Sequence, residues 1–158
     1  MKITFGSSRE TAIAIPLKVW QDPQGNPLLI YCERSCEIFV GCWEESGIPA
    51  NYICRITFNS AWASRSYGLE YLPYQIKELK RSAIFEVTNS KWLKESSEYR
   101  LKCYPRWKTS DRKTYHHFLV QGHDEFVEVL AESYNEETIL IKEAKNILSA
   151  DYLKYFNQ

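Results

Sequence analysis

Apolar side chains recur at every second position through the first third of the chain: Ile13, Ile15, Leu17 and Val19, then Cys36, Ile38, Val40 and Cys42, then Cys54, Ile56 and Phe58. Successive side chains of a strand point to opposite faces, so this period predicts strands rather than helices. Turn chemistry separates the runs. Residues 21–27 (QDPQGNP) are a loop by their Pro, Gly and Asn, Glu33-Arg34-Ser35 fits a tight hairpin, and residues 44–51 contain Ser46-Gly47 and Pro49. The segment reads as a β-meander, with Pro16 placing its first strand at a sheet edge or on a bulge.

Residues 99–133 carry the most specific pattern. Closing Gly122-His123-Asp124-Glu125 as a four-residue turn sets Gln121 opposite Phe126, and closing residues 108–113 sets Trp107 opposite Thr114. Three strands paired in this way collect Tyr99, Leu101, Cys103, Pro105, Trp107, His116, Phe118, Val120, Val127, Val129 and Ala131 on one face, as a core would. The opposite face collects Arg100, Lys102, Tyr104, Arg106, Tyr115, His117, Leu119, Gln121, Phe126, Glu128, Leu130 and Glu132, and is expected to be wet. On this register Phe118 is buried and His117 accessible.

Helical signals are fewer. Pro73 with Leu72, Ile76 and Leu79 suggests two turns before Lys80-Arg81, and Ser90 offers an N-cap for a short helix carrying Trp92 and Leu93. From Thr138 to Phe156, Ile141, Ala144, Leu148, Tyr152 and Tyr155 share one stripe, widened by Leu140 and Ile147. This predicts an amphipathic C-terminal helix packed on the sheet, with Ser149 and Asp151 as a break. The fold class expected is α+β: a mainly antiparallel, curved sheet, as a meander or a partly open barrel, with short helices and that C-terminal helix. With no repeat or linker, residues 1–158 are expected to form a single domain.

Charge narrows the function classes. Twenty basic and twenty acidic side chains cancel over the chain, and the two halves are balanced as well. A global electrostatic partner is therefore not implied. No apolar run is long enough for a signal peptide at Met1–Ser8 or for a membrane span, so no membrane association is expected. Five cysteines, Cys32, Cys36, Cys42, Cys54 and Cys103, are an odd number at irregular spacing. Free thiols in a reducing cytoplasm are the expectation, and the spacing lacks the close ligand pairs of a zinc site. No cofactor motif is present.

The candidates for chemistry are correspondingly modest. His116 and His117 point to opposite faces of a strand and cannot share a metal. His117 with Glu128 or Glu132 would be a general base for a small enzyme, whereas Cys103 and His116 lack a third group to orient the imidazole. Arg100, Lys102, Tyr104, Arg106, Tyr115 and His117 form an aromatic and charged surface suited to a protein or small-molecule partner. The same basic and aromatic mixture serves single-stranded nucleic acid. On a shared sheet face, however, Glu128 and Glu132 neutralise the basic stripe, and nucleic acid is not the expected partner. Arg65 and Glu70 are a charged pair among aromatics, read either as a structural ion pair or as part of a ligand site.

The run Trp62-Ala63-Ser64-Arg65-Ser66-Tyr67-Gly68-Leu69-Glu70-Tyr71-Leu72-Pro73-Tyr74, with Asn89-Ser90-Lys91-Trp92-Leu93, His116-His117-Phe118 and residues 126–132, resembles a small family of uncharacterised bacterial proteins of cyanobacterial type. The likeness spans residues 50–135. It implies a stand-alone bacterial cytosolic protein and transfers no functional residue. The sequence thus favours a non-catalytic binding module, with a His–carboxylate enzyme and a single-strand binder as the alternatives.

Overall fold

The computed structural model describes residues 9–33, 35–78 and 82–156. In chain order the first strands are β1 (Thr11–Pro16), β2 (Trp20–Gln21), β3 (Leu28–Cys32), β4 (Ser35–Trp43), β5 (Pro49–Asn59), β6 (Ala63–Gly68), β7 (Gln75–Ile76) and β8 (Ala83–Thr88). Helices α1 (Lys91–Cys103) and α2 (Trp107–Ser110) follow, then β9 (His116–Gln121), β10 (Glu125–Ala131), β11 (Ser133–Leu140), α3 (Ile141–Ala144) and α4 (Ala150–Leu153). Short 3-10 turns occupy Leu69–Tyr71 and Lys154–Phe156.

The strands make two curled sheets of the α+β class expected. One orders β6-β10-β9-β8-β1-β7, and the other β11-β5-β4-β2 with β3 also paired to β4. Among the described residues every pairing is antiparallel except β1 with β7. Beyond Ala12, β1 is the edge of its sheet, which is where Pro16 finds a place without disturbing a ladder.

Alternation along each strand builds three apolar layers. Ile38, Val40, Cys54, Ile56 and Phe58 from one sheet meet Ile84, Phe118, Val120, Val127 and Val129 from the other, forming the central core. The intervening residues are buried as well. Phe39, Ile53 and Ile139 face Ala144, Leu148, Leu153 and Phe156 of the C-terminal segment. Ala12, Phe85, Leu119 and Phe126 face Tyr74, with Leu69, Leu72 and Ile76 packed beside it. Each sheet therefore has a cover on its outer face. At one end the sheets are pinned together: Asn26 Oδ1 accepts from the amides of Asp124 (2.8 Å) and Glu125 (3.2 Å) in the turn before β10. A Cβ at Gly122 would lie 2.4 Å from Pro27 Cδ, so that contact requires glycine.

The β9–β10 hairpin has the register read from its turn, with Gln121 opposite Phe126 and Phe118 opposite Val129. The third strand of that reading, over residues 99–107, is overturned: residues 99–103 close α1, 104–106 form the link, and Trp107 opens α2. Asn89 adopts a left-handed φ of 56°, and Ser90 Oγ accepts the Leu93 amide at 3.0 Å, so the chain enters a helix cleanly. Lys, Leu, Glu and Arg then sustain it, with no Gly or Pro before Pro105. The cap was legible; the length was not.

Two further expectations change. Residues 72–76 are extended rather than helical, because β7 pairs with Thr11 and Ala12 and this turns Ile76 onto the outer layer; Leu79 to Arg81 lie outside the described residues. The segment from Thr138 begins as strand, since β5 is long enough to pair with Thr138, Ile139 and Leu140. The helical remainder is broken near Ser149, as expected, and packs on the sheet. It does so through Ala144 and Leu148 of the expected stripe and through Leu153 and Phe156, while Tyr152 and Tyr155 are exposed. No helix among the described residues is long and apolar enough to cross a membrane.

Candidate functional site

The outer face of the β9–β10 hairpin, expected to be wet, carries the most unusual side chains of the molecule. His117 and Glu128 are each only 1% exposed. They are diagonal neighbours across the hairpin, with His117 Nε2 2.8 Å from Glu128 Oε1. His117 Nδ1 lies 2.7 Å from Ser90 Oγ, the hydroxyl that caps α1. On the other side, β6 sets Arg65 directly opposite Glu128. Arg65 Nε donates to Glu128 Oε2 at 2.5 Å, Arg65 Nη2 donates to Glu128 Oε1 at 3.2 Å and to the Tyr74 hydroxyl at 3.0 Å, and Tyr74 donates to Glu128 Oε1.

Five side chains thus form one continuous polar chain beneath an aromatic cover. The His117 ring meets the edges of Trp92 (5.0 Å) and Tyr74 (5.5 Å), and the Arg65 guanidinium lies 4.0 Å from the Trp92 ring. Burial works against ionisation of Glu128, but donation from His117, Arg65 and Tyr74 outweighs it and holds the carboxyl below its ordinary range. For Tyr74 burial and the adjacent Glu128 both raise the phenol above its ordinary value. With Nε2–H donating to Glu128 and Nδ1 accepting the Ser90 hydroxyl, both ring nitrogens of His117 are engaged.

Above this chain lies a cleft of about 360 Å³, lined by Arg65, Tyr67, Tyr71, Pro73, Phe126 and Glu128. Its walls are aromatic and its floor is the ion pair. Both Glu128 oxygens are occupied from below, and Arg65 is the one cation among the lining residues. Its Nη1 has no hydrogen-bond partner among the described residues, and its side chain is 29% exposed. The cleft therefore offers a positioned donor between rings. It offers no reacting base, because both nitrogens of His117 are engaged and neither is accessible. Ser90, capping a helix beneath Trp92, is buried as well.

The sequence-derived candidates are distributed differently from expectation. His117 and Glu128 come together, but His117 is buried rather than exposed. Glu132 is elsewhere, accepting from Ser60 Oγ at 2.9 Å with Lys113 Nζ at 3.6 Å. Arg100 and Lys102 lie on α1, Tyr104 caps it and Arg106 precedes α2, so the aromatic and charged surface is helical rather than part of a sheet. Arg100, Tyr104 and Arg106 line one depression, and Arg100 Cζ lies 6.0 Å from the Tyr115 ring; His117 is not part of that surface. Arg65 pairs with Glu128 rather than Glu70. Sequence reading missed Ser90, Tyr74 and Trp92 as partners of this network. The available signal was the excess of Leu119, Phe126 and Leu130 on a face assigned to water.

The cysteines are all unpaired: Cys36, Cys42 and Cys54 in the core, Cys32 and Cys103 exposed. Burial is the main cause that pushes the thiols of Cys36 and Cys42 up to about 12, and Cys54 higher still, so these are inert packing groups. Among the described residues no three His, Cys, Asp or Glu side chains are grouped as metal ligands would be. No family model matches the chain, and no curated protein or solved structure is significantly similar to it.

Proposed function

We propose that the protein is a non-catalytic binding module whose cleft holds a small planar ligand by an acceptor group, such as a carboxylate, presented to Arg65. The observation that carries this reading is the fixed guanidinium at the floor of an aromatic-walled cleft. Its Nε and Nη2 are committed to Glu128 and Tyr74, its plane is backed by Trp92, and Nη1 remains for a ligand. Pockets of this size with apolar walls and a few placed polar groups are typical of small-molecule sites. The buried chain from Ser90 to Glu128 then has a positioning role. It fixes the Arg65 fork before the ligand arrives, which lowers the ordering cost of binding. Five unpaired thiols fit a reducing cytoplasm as its location.

Benzoate is a suitable probe. Titration monitored by NMR is expected to shift resonances of Tyr67, Tyr71 and Phe126, with a dissociation constant in the millimolar range for so small a ligand. Tyr71→Ala should weaken binding several-fold without loss of stability, since Tyr71 is exposed. Benzyl alcohol or benzylamine binding as well as benzoate would contradict the role given to Arg65, and the absence of shifts in the cleft at saturating benzoate would contradict the site.

A further inference from the structure

The α1–α2 segment carries a second surface with its own chemistry. Residues 91–113 hold eight Lys and Arg against three Asp and Glu, in a chain of zero net charge. On a sheet shared with β10 this excess would be neutralised, but the fold keeps most of the acidic residues apart from it. Glu128 is buried against Arg65 and Glu137 pairs with Arg55, while Glu132 accepts from Ser60 and meets the segment at its end, 3.6 Å from Lys113 Nζ. Within the segment, Arg100 approaches Asp111 to 3.8 Å, whereas Lys102 and Arg106 meet no carboxylate among the described residues. The positive charge is therefore presented to solvent.

Exposed aromatic rings accompany it. Tyr99 is 70% and Tyr104 67% exposed, and α1 buries none of its side chains fully. Between α1 and α2 lies an open depression of about 670 Å³ lined by Arg100, Tyr104, Arg106 and Trp107. Arg100 Nη1, 3.8 Å from Asp111 Oδ2, and Trp107 Nε1 are shielded from solvent, so these two side chains shape the depression rather than present donors to it. The indole and the guanidinium are held in place by stacking, with Arg100 Cζ 4.4 Å from the Trp107 ring and 4.9 Å from that of Trp62.

We propose that this face binds single-stranded nucleic acid, with Lys102 and Arg106 following the phosphate backbone and Tyr99 and Tyr104 stacking on bases. Charge complementarity calls for a polyanion, and the pair of exposed tyrosines selects one that also carries flat unpaired rings. An acidic peptide would satisfy the charge and leave the tyrosines without a role. A duplex would hide its bases from them.

The test is fluorescence anisotropy of a labelled oligothymidine strand of about 16 nucleotides, beginning at about 50 mM salt. Saturable binding that weakens steeply with salt is expected. Tyr104→Ala should weaken it about tenfold or more while leaving the thermal melt unchanged. Lys102→Gln and Arg106→Gln should each lower the logarithmic salt slope by about one unit or slightly less. The proposal is overturned by absence of binding at the lowest salt, by Tyr104→Ala binding as tightly as the wild type, or by polyglutamate competing as well as unlabelled strand.

Discussion

A chain ending at Leu140 is expected to lose its stable fold. The removed segment supplies Ala144, Leu148, Leu153 and Phe156, which cover Phe39, Ile53 and Ile139 on the outer face of the second sheet. Burying a large apolar side chain contributes about 1.5–3 kcal/mol, so the loss of two leucines and a phenylalanine amounts to roughly 5 kcal/mol or more. The newly exposed Phe39 and Ile53 add to it. Domains of this size have about 5–15 kcal/mol of stability in total. Calorimetry of the truncated chain should show a transition displaced far downward or none. A melt like that of the full-length protein would mean that the segment covers nothing essential.

Glu128→Ala is the second large effect expected. It leaves the buried Tyr74 hydroxyl and His117 Nε2 without their acceptor and the partly exposed Arg65 guanidinium without its counter-charge. Removing one partner of a buried pair typically costs about 3–5 kcal/mol. Replacing both charges by apolar groups, as Arg65→Met with Glu128→Leu, should restore part of the stability, because no uncompensated charge remains. Benzoate binding should not return with it. That separation of stability from binding distinguishes a network kept for its ligand from one kept for the fold.

The acid limb of the same experiment has a definite sign. The folded-state pKa of Glu128 lies below its ordinary value, so its contribution to stability is present above the ordinary carboxylate range and is lost as pH falls through the lowered folded value. The wild type should lose that increment on acidification, and Glu128→Ala should have none to lose. An identical acid dependence in both would place the titration elsewhere.

Much of the central core was legible in the sequence because it is written with period two. Ile38, Val40, Ile56 and Phe58 alternate without interruption, and the turn at Gly122 fixes the register of Phe118 and Val129. The covers of the sheets were not legible, because each is made by a distant segment with no periodic signal of its own. Residues 69–76 reach β8 and β9 through a 3-10 turn and a two-residue strand, and the start of α1 meets His117 through Trp92 and the capping Ser90. An antiparallel hairpin was therefore assigned one wet face, and the exposure of His117 followed from that assignment. β6 was missed for a related reason: Ala63-Ser64-Arg65-Ser66-Tyr67-Gly68 has no apolar alternation, and its place beside β10 shows only in the ladder that brings Arg65 opposite Glu128. The site is assembled by segments that only tertiary contacts define. The hairpin inside it was readable; its neighbours were not.

Paired thermal melts of His117→Ala and His116→Ala test the burial of the polar chain beneath the cleft directly. His117 is enclosed by Trp92 and Tyr74 and bonded to Ser90 and Glu128, so its removal leaves a void and unsatisfied partners and should cost about 2–4 kcal/mol. The side chain of His116 is 39% exposed and meets Glu86 at 2.7 Å, so its removal should cost no more than about 1 kcal/mol. Costs in the opposite order, or a His117→Ala variant as stable as the wild type, would show that this face of the hairpin is open to water and that the Arg65 floor is not built as described.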